Sequence, residues 1–282
     1  MRIGYPCINR SIQCRSDRKF RLASFHGERF FSTVSGNLSC LLQILEWNLA
    51  HDICFFRISS DIIPFASHPV CTLSWQKHFA DDLAEIGRFI SESGIRISMH
   101  PDQFIVLNSP DEKIVSRSIA ELGYHAALLD LMQLDDSAKI QLHVGGLYGN
   151  APDSIARFIR VYGQMDPAIT RRLVVENDDQ RYSASDCLDI HAQTGIPVLF
   201  DVFHHSCNNN GEGISLILPR IVETWSASDG TPMVDYSSQH PAKRTGGHAE
   251  HIDMDDFQKF LTLSKPHDLD IMLEIKRSEE HT

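Results

Sequence analysis

The chain has 282 residues, of which 42% are hydrophobic, enough for one large α/β domain with a substantial core. Its formal net charge of −11, with histidine neutral, argues by itself against a nucleic-acid binder, although bound divalent cations would cancel part of the excess. No apolar leader opens the sequence and no run reaches the ~18 apolar residues of a membrane span, so a soluble, cytoplasmic monomer is expected. From the N-terminus, strand-like runs alternate with helical ones. RIGYPCI (2–8) precedes NLSCLLQILEWNLA (37–50), ICFFRIS (53–59) precedes WQKHFADDLAEIGRFISES (75–93), and RISMH (96–100) precedes DEKIVSRSIAELGYHAALLDLM (111–132). KIQLHV (139–144) precedes DSIARFIRVYGQM (153–165), RLVVEN (172–177) precedes SDCLDIHAQT (185–194), and PVLFDV (197–202) precedes ISLILPRIVETW (214–225). PMVDYS (232–237), DMDDFQKFLTLS (253–264) and LDIMLEIK (269–276) complete the series.

Leu83, Ile86, Phe89 and Ile90 share one helix face. Ser74 and Asp111 stand where helices should start, Gly94 and Gly195 where they should stop. Strands apolar throughout suit a parallel sheet covered on both sides. Eight of them with seven intervening helices, and no G-x-G-x-x-G after the first, predict a single (β/α)8 TIM-barrel domain over 1–282, lacking the eighth covering helix. The seven cysteines form no C-x-x-C pair and no disulfide-like framework, which reads as a reduced intracellular protein. Cys7 and Cys54, in strand-like runs, are expected to be buried thiols.

Six strand-like runs deliver a metal-ligand side chain as they end. RISMH ends in His100, KIQLH in His143, RLVVE in Glu176, PMVD in Asp235 and DIMLE in Glu274, while PVLFDVFH (197–204) carries Asp201 and His204. Strand ends of a parallel barrel converge on one face, so residues distant in sequence meet in space. Imidazoles and carboxylates gathered in this way need metal ions to neutralise them. Each residue also has an ordinary reading. His100 could be a turn histidine bonded to a carbonyl, and His143 precedes Gly145 and Gly146, which let backbone or substrate approach. Glu176 follows apolar residues, and a buried carboxylate wants a cation or a dense hydrogen-bond set. Asp201 and His204, as D-x-x-H, reach adjoining ions if the strand bends after Asp201; His205 is read as a neighbour. Glu274 and Lys276 share a strand face, so an ion pair is the plain interpretation and does not exclude metal binding. Imidazole and carboxylate ligands without thiolate fit Zn2+, Mn2+ or Fe2+. Two or three such ions, bridged by Glu176, suit hydrolysis of a phosphodiester.

The segments RIGYP (2–6), RISSDIIPFASH (57–68), SMHPDQF (98–104), LHVGG (142–146), VEND (175–178), DVFHH (201–205), DYSSQ (235–239) and MLEIK (272–276) run from the first strand to the eighth. In them the chain resembles the UV damage endonucleases, relatives of endonuclease IV among the xylose-isomerase-like barrels; HPDQF together with RISSDIIP is the specific part. The resemblance implies a DNA repair endonuclease that cuts immediately 5′ of cyclobutane pyrimidine dimers and 6-4 photoproducts, leaves a 3′-hydroxyl and uses manganese. It implies a metal site of His100, His143, Glu176, Asp201, His204, His248 and Glu274, with Glu176, His204 and His248 as catalytic candidates. Tyr5, Asn9 and His68 are implied to face DNA near the lesion, and Gln103 and Phe104 to probe the duplex opposite it. Many members have Lys-x-His before the Tyr-Ser-Ser segment, with a modified lysine beside the metals. Here those positions are Met233, which cannot carry a carbamate, and Asp235, which can ligate through oxygen. The probing tyrosine is Phe104, which keeps stacking and loses the hydroxyl.

The residues themselves point to DNA as well. Residues 10–21, RSIQCRSDRKFR, carry Arg10, Arg15, Arg18, Lys19 and Arg21 against Asp17. Interleaved with Phe20 and Phe25, they suit phosphate contacts and base stacking, or form an ordinary solvated loop. His240, Lys243, Arg244 and His248 make a second basic stretch after the seventh strand. A sugar isomerase or epimerase on the same barrel is the alternative, though it does not need the arginine-rich loop; a non-catalytic metal- or DNA-binding module is the third reading.

Overall fold

The computed structural model describes every residue except 103 and 276–282. Eight parallel strands close into a barrel in sequence order: β1 (Ile3–Pro6), β2 (Phe55–Ile58), β3 (Arg96–Met99), β4 (Lys139–His143), β5 (Leu173–Glu176), β6 (Val198–Asp201), β7 (Met233–Tyr236) and β8 (Asp270–Leu273). β8 pairs back onto β1 through Ile3–Ile271 and Gly4–Met272. The crossovers are α1 (Gly27–Ala50), α2 (Trp75–His78) with α3 (Ala80–Ser93), α4 (Glu112–Leu131), α5 (Ala151–Tyr162) with α6 (Pro167–Thr170), α7 (Ala184–Thr194), α8 (Val202–Cys207) with α9 (Ile214–Val222), and α10 (Met254–Ser264). Seven helices are expected from the sequence; ten α-helices occur among the described residues because three crossovers are broken in two. The residues where an eighth covering helix would begin lie outside the described ones. No helix among them is long and apolar enough to cross a membrane.

Local signals account for most of these boundaries. Leu83, Ile86 and Ile90 are buried along α3, with Phe89 packed at the edge of the core. Gly94 and Gly195 end α3 and α7 at φ of 68° and 72°, a left-handed conformation that glycine adopts without a Cβ penalty. Asp111 caps α4 by accepting from Lys113 N, whereas Ser74 makes no cap bond. α1 starts at Gly27, well before residue 37. Phe30 and Val34 are fully buried, and that burial outweighs the weak helix propensity of Ser32, Thr33 and Gly36.

Contrary to the cysteine spacing, Cys14 and Cys40 form a disulfide that ties the loop after β1 to α1. A loop cysteine and a helix cysteine 26 residues apart carry no recognisable pattern, and only the course of the loop brings them together. Cys7 and Cys54 are half-buried, not buried, because each flanks a strand end.

Alternate strand residues point into the barrel. At its N-terminal end the charged Arg96, Lys139 and Asp270 are buried. Above them Phe55, Val174, Leu199, Met233 and Met272 form a separate apolar cluster. One residue-pair further along the strands come Arg57, Gln141, Glu176, Asp201, Asp235 and Glu274, all buried. The apolar layer thus closes the barrel beneath a polar, C-terminal mouth.

Candidate metal centre

The register fixes which side chains meet. His143 lies opposite Glu176 between β4 and β5, and Asp201 opposite Asp235 between β6 and β7. Donor atoms fall into three overlapping groups, each with all members within 4.8 Å of one another: His100, His143 and Glu176; Glu176, Asp201 and His204; Asp201, Asp235 and Glu274. Glu176 belongs to two of them and turns one oxygen to each. Its Oε2 lies 3.3 Å from His100 Nε2 and 3.9 Å from His143 Nε2, while its Oε1 lies 3.6 Å from His204 Nδ1. The run 197–204 is not a strand throughout. β6 stops at Asp201, whose Oδ1 accepts from His204 N at 2.7 Å and caps α8. That turn brings His204 Nδ1 to 3.2 Å from Asp201 Oδ2. His205 is a neighbour as expected, with Nε2 2.8 Å from Glu212 O. His248 is the expected ligand that joins no group. It sits on the loop after β7, its ring 5.8 Å from that of His204 and its Nδ1 3.4 Å from Glu274 O.

Four residues of this site were not singled out from the sequence. Arg57, 3% exposed, donates to both oxygens of Asp235 at 2.8 and 2.7 Å, to Gln141 Oε1 at 2.8 Å, and to Glu274. Gln141 Nε2 in turn donates to Glu176 Oε2 at 3.0 Å and to Asp235 Oδ2 at 2.7 Å. The plain partner expected for Glu274, Lys276, lies outside the described residues; Arg57 is the partner seen. Asn177 ties the ends of β5 and β6 together, donating to Asp201 O and accepting from Asp201 N, both at 3.0 Å. Ser60 Oγ donates to His100 O at 2.8 Å and lies 3.0 Å from His125 Nε2. A charged or amide side chain between apolar residues of a strand, Arg57 in FFRI and Gln141 in IQL, is the signal that marks these two.

Electrostatics follow from crowding these groups out of water. Burial opposes charge on His100, but its hydrogen-bonded partner Glu176 prevails and lifts the imidazole to about 9. Burial likewise opposes charge on His204, and Asp201 and Glu176 together lift it to about 11. His143 moves the other way, lowered by burial and by the charges on His100 and His204. Against its own burial, Glu176 is held well below the usual carboxylate range by His143, His100 and His204. Burial, with Glu176 and Glu274 nearby, raises Asp201 to about 6 despite His204. Burial and the same acidic neighbours push Asp235 up, with Arg57 pulling against them. Asp201 Oδ2 is buried with no hydrogen-bond partner, and a divalent cation would satisfy it. The donor set of imidazole and carboxylate without thiolate fits Mn2+, Zn2+ or Fe2+. Met233 lies in the apolar layer below and offers such an ion nothing.

His100, His143 and His204 line one wall of a cavity of about 720 Å³ that opens at the barrel mouth, with Arg181 and Arg244 at its rim. A larger cavity, about 1070 Å³, lies at the opposite end among Arg96, Arg171 and Arg172 and touches none of the candidate ligands; the chemistry places the site at the smaller one. Of the expected DNA-facing residues, Phe104 is 75% exposed on the turn after Pro101, and His68 and Arg10 are exposed. Gln103 lies outside the described residues. Tyr5 donates to Asn48 Oδ1 on α1 at 2.6 Å and accepts from Asn9 Nδ2 at 2.8 Å, while Asn9 is buried. Phe20 and Phe25 pack against Phe65, with ring centroids 5.4 and 5.7 Å away, so they anchor the basic loop to the body and do not stand free to stack on bases.

Residues 1–281 match the family model described as UV-endonuclease UvdE. The chain is 39% identical over 278 residues to a UV DNA damage endonuclease of Clostridium perfringens, a match covering 98% of this chain and 68% of that protein. It is 35% identical over 289 residues to a UV DNA damage endonuclease of Bacillus cereus, covering 99% and 91%. The crystal structure of SacUVDE superposes with a TM-score of 0.94 at 46% identity, over 98% of this chain and 93% of that one. A D-psicose 3-epimerase of Clostridium cellulolyticum H10 superposes with a TM-score of 0.60 at 12% identity, over 98% and 85%. That likeness extends to the fold alone, so the epimerase alternative is not favoured. A family match over almost the whole barrel, and relatives this similar along it, make the chain a member of the UV-endonuclease family.

Proposed function

We propose that this DNA-repair endonuclease hydrolyses the phosphodiester immediately 5′ of cyclobutane pyrimidine dimers and 6-4 photoproducts in double-stranded DNA, using two or three divalent cations, Mn2+ foremost. One observation carries the reading: Glu176 turns its two oxygens to two separate sets of ligands at the mouth of the barrel. His100 and His143 with Glu176 would hold one cation, and Asp201 and His204 with Glu176 a second. Asp235 and Glu274, already joined by Arg57, would serve a third with Asp201. When bound, such cations acidify a water and neutralise the charge of the phosphate and of the departing oxygen. His248, which joins none of the ligand groups, meets the His204 ring edge to face at 5.8 Å, where its imidazole would be free to give a proton to the departing oxygen.

The exposed Phe104 and its neighbour Gln103 would probe the duplex; unstacking bases costs less at a lesion that has already weakened pairing. Arg10 and His68 would contact the backbone, while Tyr5 and Asn9 would hold the root of the basic loop, since Asn9 Oδ1 also accepts from Ser11 N at 2.8 Å. Arg10 and Arg21 make no ion pair among the described residues, which leaves them for phosphates despite the acidic body. The test is to incubate UV-irradiated and untreated supercoiled plasmid with the protein and Mn2+. Nicking confined to irradiated plasmid and abolished by Glu176→Gln supports the proposal; equal nicking of both plasmids, or none, overturns it.

A further inference from the structure

Tyr148 has a geometry that neither the resemblance nor the metal site accounts for. It sits on the loop that follows His143, and its backbone is left-handed at a φ of 40°, a conformation that favours glycine. The next residue, Gly149, is left-handed as well at 103°. The surrounding loop is not loose. Asn108 pairs with both backbone groups of Gly146, donating to its carbonyl at 2.7 Å and accepting from its N–H at 3.1 Å, and the Tyr182 hydroxyl donates to the same carbonyl at 2.8 Å. The Tyr148 ring lies directly on Gly146, where a Cβ would sit 2.6 Å from Cε2, so only glycine lets the ring rest there. Beneath it is the Arg157 guanidinium, 5.8 Å from the ring centroid and itself fixed by Asn108 O at 2.9 Å and Ser154 Oγ at 2.8 Å.

A structural tyrosine would bury its ring and satisfy its hydroxyl. Tyr148 does neither: it is 43% exposed, and its hydroxyl makes no hydrogen bond among the described residues. Its remaining surface faces the cavity that His100, His143 and His204 also line. A sparsely populated backbone held by well-ordered surroundings, presenting a rigid aromatic beside candidate ligands, is the pattern of a residue kept for substrate contact. The cavity, about 720 Å³, is of ligand-binding size.

We propose that Tyr148 is a substrate-contacting residue on which an unstacked base of the DNA stacks beside the metal site. This rests on the DNA reading given above. Gly146 and the Arg157 guanidinium both lie against the ring, and the part of it that lines the cavity is a fixed platform. Such a platform accepts any base because every base offers a π-face, which suits an enzyme that must accept chemically different lesions.

The test compares wild type with Tyr148→Phe, Tyr148→Ala and Tyr148→Gly as full-length, Mn2+-loaded proteins. The readouts are KM and kcat on UV-irradiated duplex, metal content and Tm. Tyr148→Phe should stay within about twofold of wild type, while Tyr148→Ala should raise KM about tenfold with metal content unchanged. Tyr148→Gly should show the same rise in KM with an equal or higher Tm, because glycine relaxes the left-handed backbone. A wild-type KM in Tyr148→Ala, or loss of Tm and metal together in Tyr148→Gly, overturns the inference and leaves the DNA reading standing. If wild type itself does not nick irradiated DNA, both fail.

Discussion

Replacing Arg57 by Met removes the guanidinium that Asp235 and Glu274 share in the floor of the site. Arg57 is 3% exposed, and its ion pairs with Asp235 at 2.7 Å and with Glu274 are shielded from solvent. Removing one partner of a buried pair leaves the other charge uncompensated, at a cost of about 3–5 kcal/mol. For a domain of this size each kcal/mol lowers Tm by about 2–4 °C, so Arg57→Met in EDTA should melt about 6–20 °C below wild type. Adding Mn2+ should then raise the Tm of the variant by more than that of wild type, because a bound cation takes over the neutralising role. The double variant Arg57→Met with Asp235→Asn should recover part of the loss, since one stranded carboxylate is gone. The assay is differential scanning fluorimetry with and without metal, backed by urea titration. A single variant melting within about 2 °C of wild type in EDTA, or a double variant whose loss is the simple sum, would refute the reasoning.

Three further outcomes are expected. With His100 held at about 9 and His204 at about 11, both rings are protonated at pH 7, so metal binding should release about one to two protons per chain and tighten as pH rises; calorimetry in buffers of different protonation enthalpy reads this. The sign for the metal-free fold is opposite: a ring raised above its ordinary 6.5 stabilises fully below that value, and its contribution disappears as pH climbs through about 9. Phe104→Ala should lower activity on dimer-containing duplex while metal content stays at the wild-type level; joint loss of metal would show that the turn supports His100 and does not probe DNA. Reducing the Cys14–Cys40 bridge, or replacing both cysteines by Ser, frees a 26-residue loop and should cost about 3 kcal/mol in urea denaturation, with weaker DNA binding by the basic segment it restrains. An unchanged denaturation midpoint under reductant would count against that bridge.

The barrel was legible because parallel strands read as apolar runs and because ligand-type residues punctuate their ends. Glu176 after LVV, and His143 after KIQL, announce both the end of a strand and the direction of the site. The turn at Asp201 was legible only conditionally, as D-x-x-H, since nothing in the sequence says that a helix begins at Val202. Arg57 and Gln141 are polar side chains within short runs that still read as strands; their role appears only when β7 and the end of β8, from across the barrel, supply Asp235 and Glu274. His248 rests on a loop, so no period locates it, and it reaches the rim of the site without joining its donors. Phe20 and Phe25 misled for a related reason. Alternation with arginine suggests free stacking surfaces, yet Phe65, distant in sequence, captures both rings.

Separate strands deliver acids and imidazoles to one mouth of the barrel, where shared cations would join them. Crystals grown with Mn2+ and measured at the manganese absorption edge test this directly. Anomalous peaks are predicted on both sides of Glu176, one contacting His100 and His143, the other Asp201 and His204. Density with no anomalous peak in contact with Glu176, or manganese bound only at sites away from these residues, would contradict it.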